Sequence, residues 1–316
     1  MSEAVSDEHQ AATTIRGIHH VAISVADLEA AVAFYTGTMG LERVDGGAFC
    51  TPADGESAVA SAVLAGPNAY LELNRFADAP PAPADGVPVE GPGFTHICFQ
   101  CPAPEGLYYR AREQGARVVS LGDDPVDLGG YGVRYAYLRD ADATMFEIEQ
   151  IDAPKFDTPV WLAHVALVTA DIDRLVDFYR AVLGIEPKRR VNKVTGPRVD
   201  EVTGLPDARA RAAWFWFDNM LLELWEYLSP PTPVAETPPA PRTIGYTGYL
   251  LEVADVGAER ERLRTLGVEL VGDLTSVPSG RCQYVRDPDG NLFGLLELSQ
   301  DEPRTLAARA RITWDD

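Results

Sequence analysis

Cysteine is scarce: four in 316 residues, too few for a disulfide framework in a chain of this length. Basic residues are also few. Against 48 Asp and Glu there are 27 Lys and Arg, a net charge of −21. Such a surface repels phosphate backbones and anionic bilayers, so neither nucleic acid nor membrane is an expected partner. No apolar run reaches the roughly 18 residues that would suggest a membrane span. The richest stretch, AAWFWFDNMLLELWEYL, is broken by Asp218, Asn219, Glu223 and Glu226. The opening MSEAVSDEHQ has no apolar segment, so no secretory leader is expected and the cytoplasm is the expected compartment. Also absent are an H-E-x-x-H pair, a Walker-type glycine loop and a G-x-S-x-G elbow, which removes the sequence signals for zincins, P-loop enzymes and α/β-hydrolases.

What is present is an ordinary globular composition, 46% hydrophobic and 24% charged, long enough for about two domains, and an internal repeat. GIHHVAISVADLEAAVAFYTGTMGLE from Gly17 aligns without gaps to WLAHVALVTADIDRLVDFYRAVLGIE from Trp161. Both read as a strand, an Asp at a helix start (Asp27, Asp171), a helix with Phe-Tyr near its end, then Gly40 or Gly184 where a left-handed cap favours glycine. A weaker pair is GFTHICFQ with YLRDADATMFEIEQ against GYTGYLLE with YVRDPDGNLFGLLEL. The chain therefore reads as four strand–helix–three-strand copies at roughly 15–78, 92–152, 160–228 and 243–300. Pro-rich connectors, APPAPADGVPVEGPG and SPPTPVAETPPAPR, join copies within each half and are expected to be extended, exposed and without a packing role. The boundary between halves falls near IDAPKFDTP, and the first dozen residues and the tail after about Asp301 are expected to be peripheral.

Histidine and glutamate recur in the same rhythm. The step from His20 to His96 is 76 residues, and from Glu72 to Glu147 it is 75. Side chains alternate across a strand, so His20, Ala22 and Ser24 share one face, while His19, Val21, Ile23 and Val25 form an aliphatic face suited to helix packing. By the same argument His96 goes with Cys98 and Gln100, Glu72 with Tyr70 and Asn74, and Glu147 with Met145 and Glu149. Two imidazoles and two carboxylates balance a divalent cation. His164 and Glu223 repeat the motif, but Gly248 and Gly294 stand where the fourth copy would complete it, so 160–300 is expected to hold an incomplete site. Core packing is the simplest account of Trp214, Trp216 and Trp225. Cys98 and Cys101 form C-x-x-C, but on a strand they face opposite ways.

The opening H-V-A-(I/L)…D-(L/I)…FY…(M/L)-G-(L/I) and the Arg286–Phe293 hairpin resemble the vicinal oxygen chelate superfamily, which includes glyoxalase I, methylmalonyl-CoA epimerase, fosfomycin-resistance proteins and extradiol dioxygenases. The resemblance runs from Ile15 to about Ser299. It implies an α+β fold of four βαβββ units forming two tandem cupped mixed sheets, helices outside. The implied domains are 15–152, holding the metal, and 160–300. It further implies one divalent ion (Fe, Mn, Co, Ni or Zn) on His20, Glu72, His96 and Glu147, with Glu147 and secondarily Glu72 as the base. Tyr137, Tyr135 and Cys98 are the candidate substrate contacts. The expected activity is an isomerase, epimerase or lyase acting on a small hydroxycarbonyl compound through a metal-chelated enediolate. The rivals are a ferrous extradiol ring-cleaving dioxygenase and a non-catalytic binding or resistance protein. A small molecule is the expected partner, and a homodimer is compatible with the chain but not required by it.

Overall fold

The computed structural model describes residues 13–50, 53, 55, 57–235, 237 and 240–312; the first dozen residues, expected to be peripheral, lie outside them. The first unit comprises β1 (Ile15–Ser24), α1 (Leu28–Met39), β2 (Glu42–Val44), β3 (Ala60–Ala65) and β4 (Tyr70–Arg75). The second has β5 (Gly93–Pro102), α2 (Leu107–Glu113), β6 (Arg117–Val118), β7 (Val126–Asp127), β8 (Val133–Arg139) and β9 (Met145–Ile151). The third has β10 (Trp161–Val168), α3 (Ile172–Leu183), β11 (Arg189–Thr195), an extra helix α4 (Pro197–Thr203), β12 (Arg209–Trp216) and β13 (Leu221–Ser229). The fourth has β14 (Gly245–Val253), α5 (Val256–Thr265), β15 (Leu270–Val277), β16 (Gly280–Arg286) and β17 (Leu292–Leu298).

The helix punctuation follows the local chemistry. Asp27 and Asp171 accept from the backbone N–H of Ala30 and Arg174, satisfying a donor that the first turn leaves unpaired. Gly40 and Gly184 close α1 and α3 at φ of 68° and 67°, where a Cβ would be strained.

The strands form two mixed sheets, in the order β15-β16-β17-β14-β1-β4-β3-β2 and β11-β12-β13-β10-β5-β9-β8-β6. The first sheet thus joins units one and four, and the second joins units two and three. This differs from the expected division, in which each half would build its own cup. The connector lengths explain it. Residues 76–92 and 230–244 are long enough to carry the chain from one sheet to the other, whereas 152–160 only returns it to the same sheet. Within each half, 15–152 and 160–300, the two units still pack on each other, but through a helix rather than a shared sheet. From α1, Phe34 lies on Phe146 of β9 and Tyr35 donates to Asp140. From α3, Phe178 and Tyr179 lie on Phe293 of β17, and Tyr179 donates to Asp287. The repeated Phe-Tyr is this clasp. One apolar core, containing Ile18, Val21, Ile97, Phe99, Val165, Leu167, Tyr249 and Leu251, lies on the helix side of all four opening strands.

Two other expectations change. The tail after Asp301 is structural: Leu306 and Ile312 are buried, Ala310 N–H donates to Pro67 and Ile312 N–H to Asp218, so it bridges the sheets. The connectors also pack. Val89 is buried, Arg139 donates to the Val87 carbonyl, and Ile244 N–H donates to Pro80, so the two connectors meet; part of the second lies outside the described residues.

Between the sheets, Asn68 and Asn219 occupy matching turns and are buried. Asn68 Nδ2 donates to Leu162 O at 2.6 Å and Asn219 O at 2.7 Å; Asn219 Nδ2 donates to Ile18 O at 2.7 Å and Asn68 O at 3.2 Å. Asn68 Oδ1 additionally accepts from Leu162 N–H, so its loss leaves more buried groups unpaired. Replacing Asn68 by Ala should lower unfolding free energy by about 2–4 kcal/mol, and Asn219→Ala by somewhat less. Urea denaturation of the two variants checks both magnitude and order.

Candidate metal centre

Each opening strand carries an extra residue where it pairs with its partner opening strand. The register shifts fall at His19 in β1, Thr95 in β5, Ala163 in β10 and Thr247 in β14. Each bulge directly precedes a motif position: His20, His96, His164 or Gly248. A bulge breaks the two-residue period and re-aims the next side chain. Ile18 and Val21 therefore both reach the helix-side core, and His19 turns to the cup with His20, contrary to strict alternation.

In the second sheet, antiparallel pairing of β5 and β10 brings His96 beside His164, with ring centroids 5.5 Å apart. β9 and β13 flank that pair and contribute Glu147 and Glu223. His164 Nε2 lies 3.0 Å from Glu147 Oε2 and 3.2 Å from Glu223 Oε2; His96 Nε2 lies 3.6 and 3.7 Å from the same atoms. All four donor atoms fall within 4.8 Å of one another, and all four residues are buried. Ligands about 2.1 Å from a common ion are separated by about 3.0–3.5 Å when adjacent. Both Nε2 atoms are buried and, among the described residues, meet only these carboxylate oxygens, with no well-directed hydrogen bond, while His96 Nδ1 is supported by Thr95 Oγ1 at 3.1 Å. These residues fit a divalent cation.

The electrostatics agree. Burial works against a charged His164, yet Glu223 and Glu147 raise its pKa to about 9. Burial pushes the Glu147 carboxyl up, but the two histidines outweigh it and hold the group at about 2. Around the set, Trp214 Nε1 donates to Glu223 Oε1 at 2.6 Å, and Gln100 Nε2 donates to Glu149 at 2.5 Å. Burial first, and then the Glu147 charge, lift Glu149 to about 7. The cup opens into a cavity of about 600 Å³, walled by Tyr135, Tyr137 and the three tryptophans 214, 216 and 225. The tryptophans are thus cavity residues rather than core. Tyr137 lies opposite Glu147, its ring 5.0 Å from that of His96, and Tyr135 lies opposite Glu149. Cys98 does not line the cavity. It packs with Trp161, Ala163 and Ile312 under Glu147, while Cys101 joins the core on the other face.

The expected set of His20, Glu72, His96 and Glu147 is divided between the two sheets. His20 and Glu72 share the first cup, 3.9 Å apart, and among the described residues no third ligand-type group completes a cluster there. Glu72 is occupied, accepting from Phe49 N–H and Asn74 Nδ2. Phe49 stacks on His20 at 4.8 Å and fills the space, leaving about 10 Å³. Burial drives His20 well below and Glu72 above their usual pKa values, toward neutral forms. Glu72 thus lies in the other cup from the four-residue cluster. His164 and Glu223, expected to be a remnant, are half of the assembled set. The motif repeat identified them as ligand types, but which copy shares their cup is a tertiary property.

Residues 17–148 and 161–295 match the Glyoxalase/Bleomycin resistance protein/Dioxygenase superfamily. The chain is 31% identical over 141 residues to an ethylmalonyl-CoA/methylmalonyl-CoA epimerase of Cereibacter sphaeroides, covering 42% of this chain and 97% of that protein. It is 30% identical over 171 residues to a 2-epi-5-epi-valiolone epimerase of Actinomyces sp, covering 48% and 90%. In fold it is similar to glyoxalase I from Zea mays, with a TM-score of 0.63 at 21% identity, over 89% of this chain and 92% of that one. With the four-unit fold and the cupped sheets described above, these matches show that the chain belongs to the Glyoxalase/Bleomycin resistance protein/Dioxygenase superfamily.

Proposed function

We propose that this protein is a divalent-metal-dependent epimerase acting on a small hydroxycarbonyl compound, with the ion held by His96, Glu147, His164 and Glu223. The observation that carries this reading is the convergence of those four side chains at the floor of a roomy aromatic cavity. The two epimerase relatives support it. A bound divalent ion would polarise the substrate carbonyl and acidify the neighbouring C–H.

The chain's own residues would do the rest. Inverting a carbon centre requires a proton to leave one face and return to the other. Glu147 and Glu223, from strands on either side of the histidine pair, flank the site as that task requires. They are not equivalent. Glu223 is tied through Oε1 to the Trp214 indole, which leaves Glu147 the better candidate to loosen and carry the proton at its carboxylate oxygen. Tyr137 and the tryptophans would orient substrate and exclude water.

Glu147→Gln should reduce proton exchange at the carbon beside the carbonyl by about 10²–10⁴-fold, with thermal unfolding little changed. Deuterium incorporation into 2-hydroxyacetophenone, followed by NMR, reads the rate. Undiminished exchange by metal-loaded Glu147→Gln removes Glu147 as the base. Oxygen uptake with a catechol under ferrous loading would instead move the protein to ring cleavage.

Metal content separates the two cups. Wild type should carry about one divalent ion per chain. His164→Ala and Glu223→Gln should lose at least about tenfold in affinity, while His20→Ala and Glu72→Gln keep the ion. Elemental analysis after gel filtration decides, and the reverse pattern would return the site to the first cup.

Metal uptake should also depend on pH. With its pKa at about 9, His164 carries a proton at neutral pH that an incoming cation must displace, whereas Glu147 at about 2 is already ionised. Binding at pH 7 should therefore release about one proton from His164, and apparent affinity should rise roughly tenfold per pH unit until it levels near pH 9. Calorimetry in buffers of different ionisation enthalpy counts the protons.

A further inference from the structure

We infer that the substrate of this cavity carries an anionic group, a carboxylate or phosphate, which Arg189 receives at the rim. This rests on the proposed function, since it names the substrate class of the same cup. Glu147, Glu149 and Glu223 line the cavity, and among the described residues Arg189 is the only arginine or lysine in its lining. It opens β11, an edge strand of the second sheet, in the stretch Lys188-Arg189-Arg190-Val191-Asn192-Lys193. Four cations in six residues stand out in a chain of net charge −21.

The neighbours of Arg189 show what is unusual about it. Arg190, on the opposite face of the strand, is consumed by Asp173, and Arg211 by Asp173 and Glu226. Arg189 has no carboxylate within ion-pair distance among the described residues. Its guanidinium lies 5.2 Å from the ring centroid of Trp214, the same indole whose N–H holds Glu223. Lys188 lies 6.0 Å from the Trp216 centroid. A guanidinium resting on an aromatic face is positioned and partly stripped of water, yet its N–H fork stays able to grip a planar or tetrahedral oxyanion. The carboxylates below would repel such an anion were two of them not committed to the ion. The cavity is therefore polarised: a cation site at the floor for a hydroxycarbonyl, aromatic walls between, and an uncompensated cation at the rim.

Three probes built on 2-hydroxyacetophenone test this, carrying a para carboxylate, a para phosphate or a para carboxamide. Quenching of tryptophan fluorescence in the metal-loaded protein gives each dissociation constant. The two anionic probes should bind about tenfold more tightly than the carboxamide, and the preference should shrink as salt is raised. Arg189→Gln should bring all three to a common affinity, and Arg189→Lys should keep part of the preference. Whichever anionic probe loses more affinity in Arg189→Gln identifies the group received. Equal affinities in wild type, or a preference that survives Arg189→Gln, overturn the inference. Removing the metal tests the underlying reading separately. If the carboxamide probe binds equally well without the ion, the floor of the cup does not chelate, whatever Arg189 does.

Discussion

The antiparallel pairing of β5 with β10, bulge against bulge, is the constraint on which the centre depends. Each strand supplies one histidine, and the extra residue before it turns that histidine to the concave side. The parallel neighbours β9 and β13 then deliver a carboxylate to each flank. Nothing in the set is brought in by a mobile loop. Four ligands carried by four hydrogen-bonded strands are held to the precision of the sheet, so the ordering entropy is largely met by folding rather than by metal binding.

The same pairing in the other sheet has a different outcome, and the difference lies in a few residues. β1 and β4 still present His20 and Glu72, but β14 and β17 offer Gly248 and Gly294. These glycines have become structural. A Cβ at Gly248 would meet the Leu292 carbonyl oxygen at 2.9 Å, and one at Gly294 would meet Leu250 Cγ at 2.8 Å. The neighbouring chain lies close over both glycines. Phe49, backed by Arg304 at 4.3 Å and by stacking on His20, occupies what would be the cup. Burial in so small a space pushes the imidazole and the carboxylate toward their neutral forms, because solvation is lost. The second cup has the opposite balance: charges that reinforce one another and room beside them.

Much of this was legible in the chain. The strand–helix–three-strand repeat, the Asp and Gly caps, and the His/Glu types at matched positions all follow from local rules that the structure satisfies. The partner of each unit was not legible, for a physical reason. The opening strands of all four units are similar in length, 8 to 10 residues, and share the bulge, so unit one could pair with two or four without changing any local preference. What discriminates is global: connectors of unequal reach, the Phe34–Tyr35 and Phe178–Tyr179 clasps, and the Asn68–Asn219 cross-link between sheets. Strict alternation also failed at His19, since a bulge leaves no mark in a pattern of apolar and polar letters.

The clasps suggest why units one and two, and units three and four, meet through helices, while one and four, and two and three, share a sheet. A helix following its own opening strand necessarily lies on the convex face of that sheet. When a second sheet packs there, the aromatic edge of α1 meets β9 and that of α3 meets β17, each sealed by a tyrosine hydroxyl on a hairpin aspartate. Burial lifts both Asp140 and Asp287 to a pKa of about 6, only partly offset by those hydroxyls and by nearby backbone N–H groups. An arrangement that joins the sheets through their helices lets the two cups differ, and here one is filled by Phe49 while the other gathers four ligand-type side chains beside a cavity.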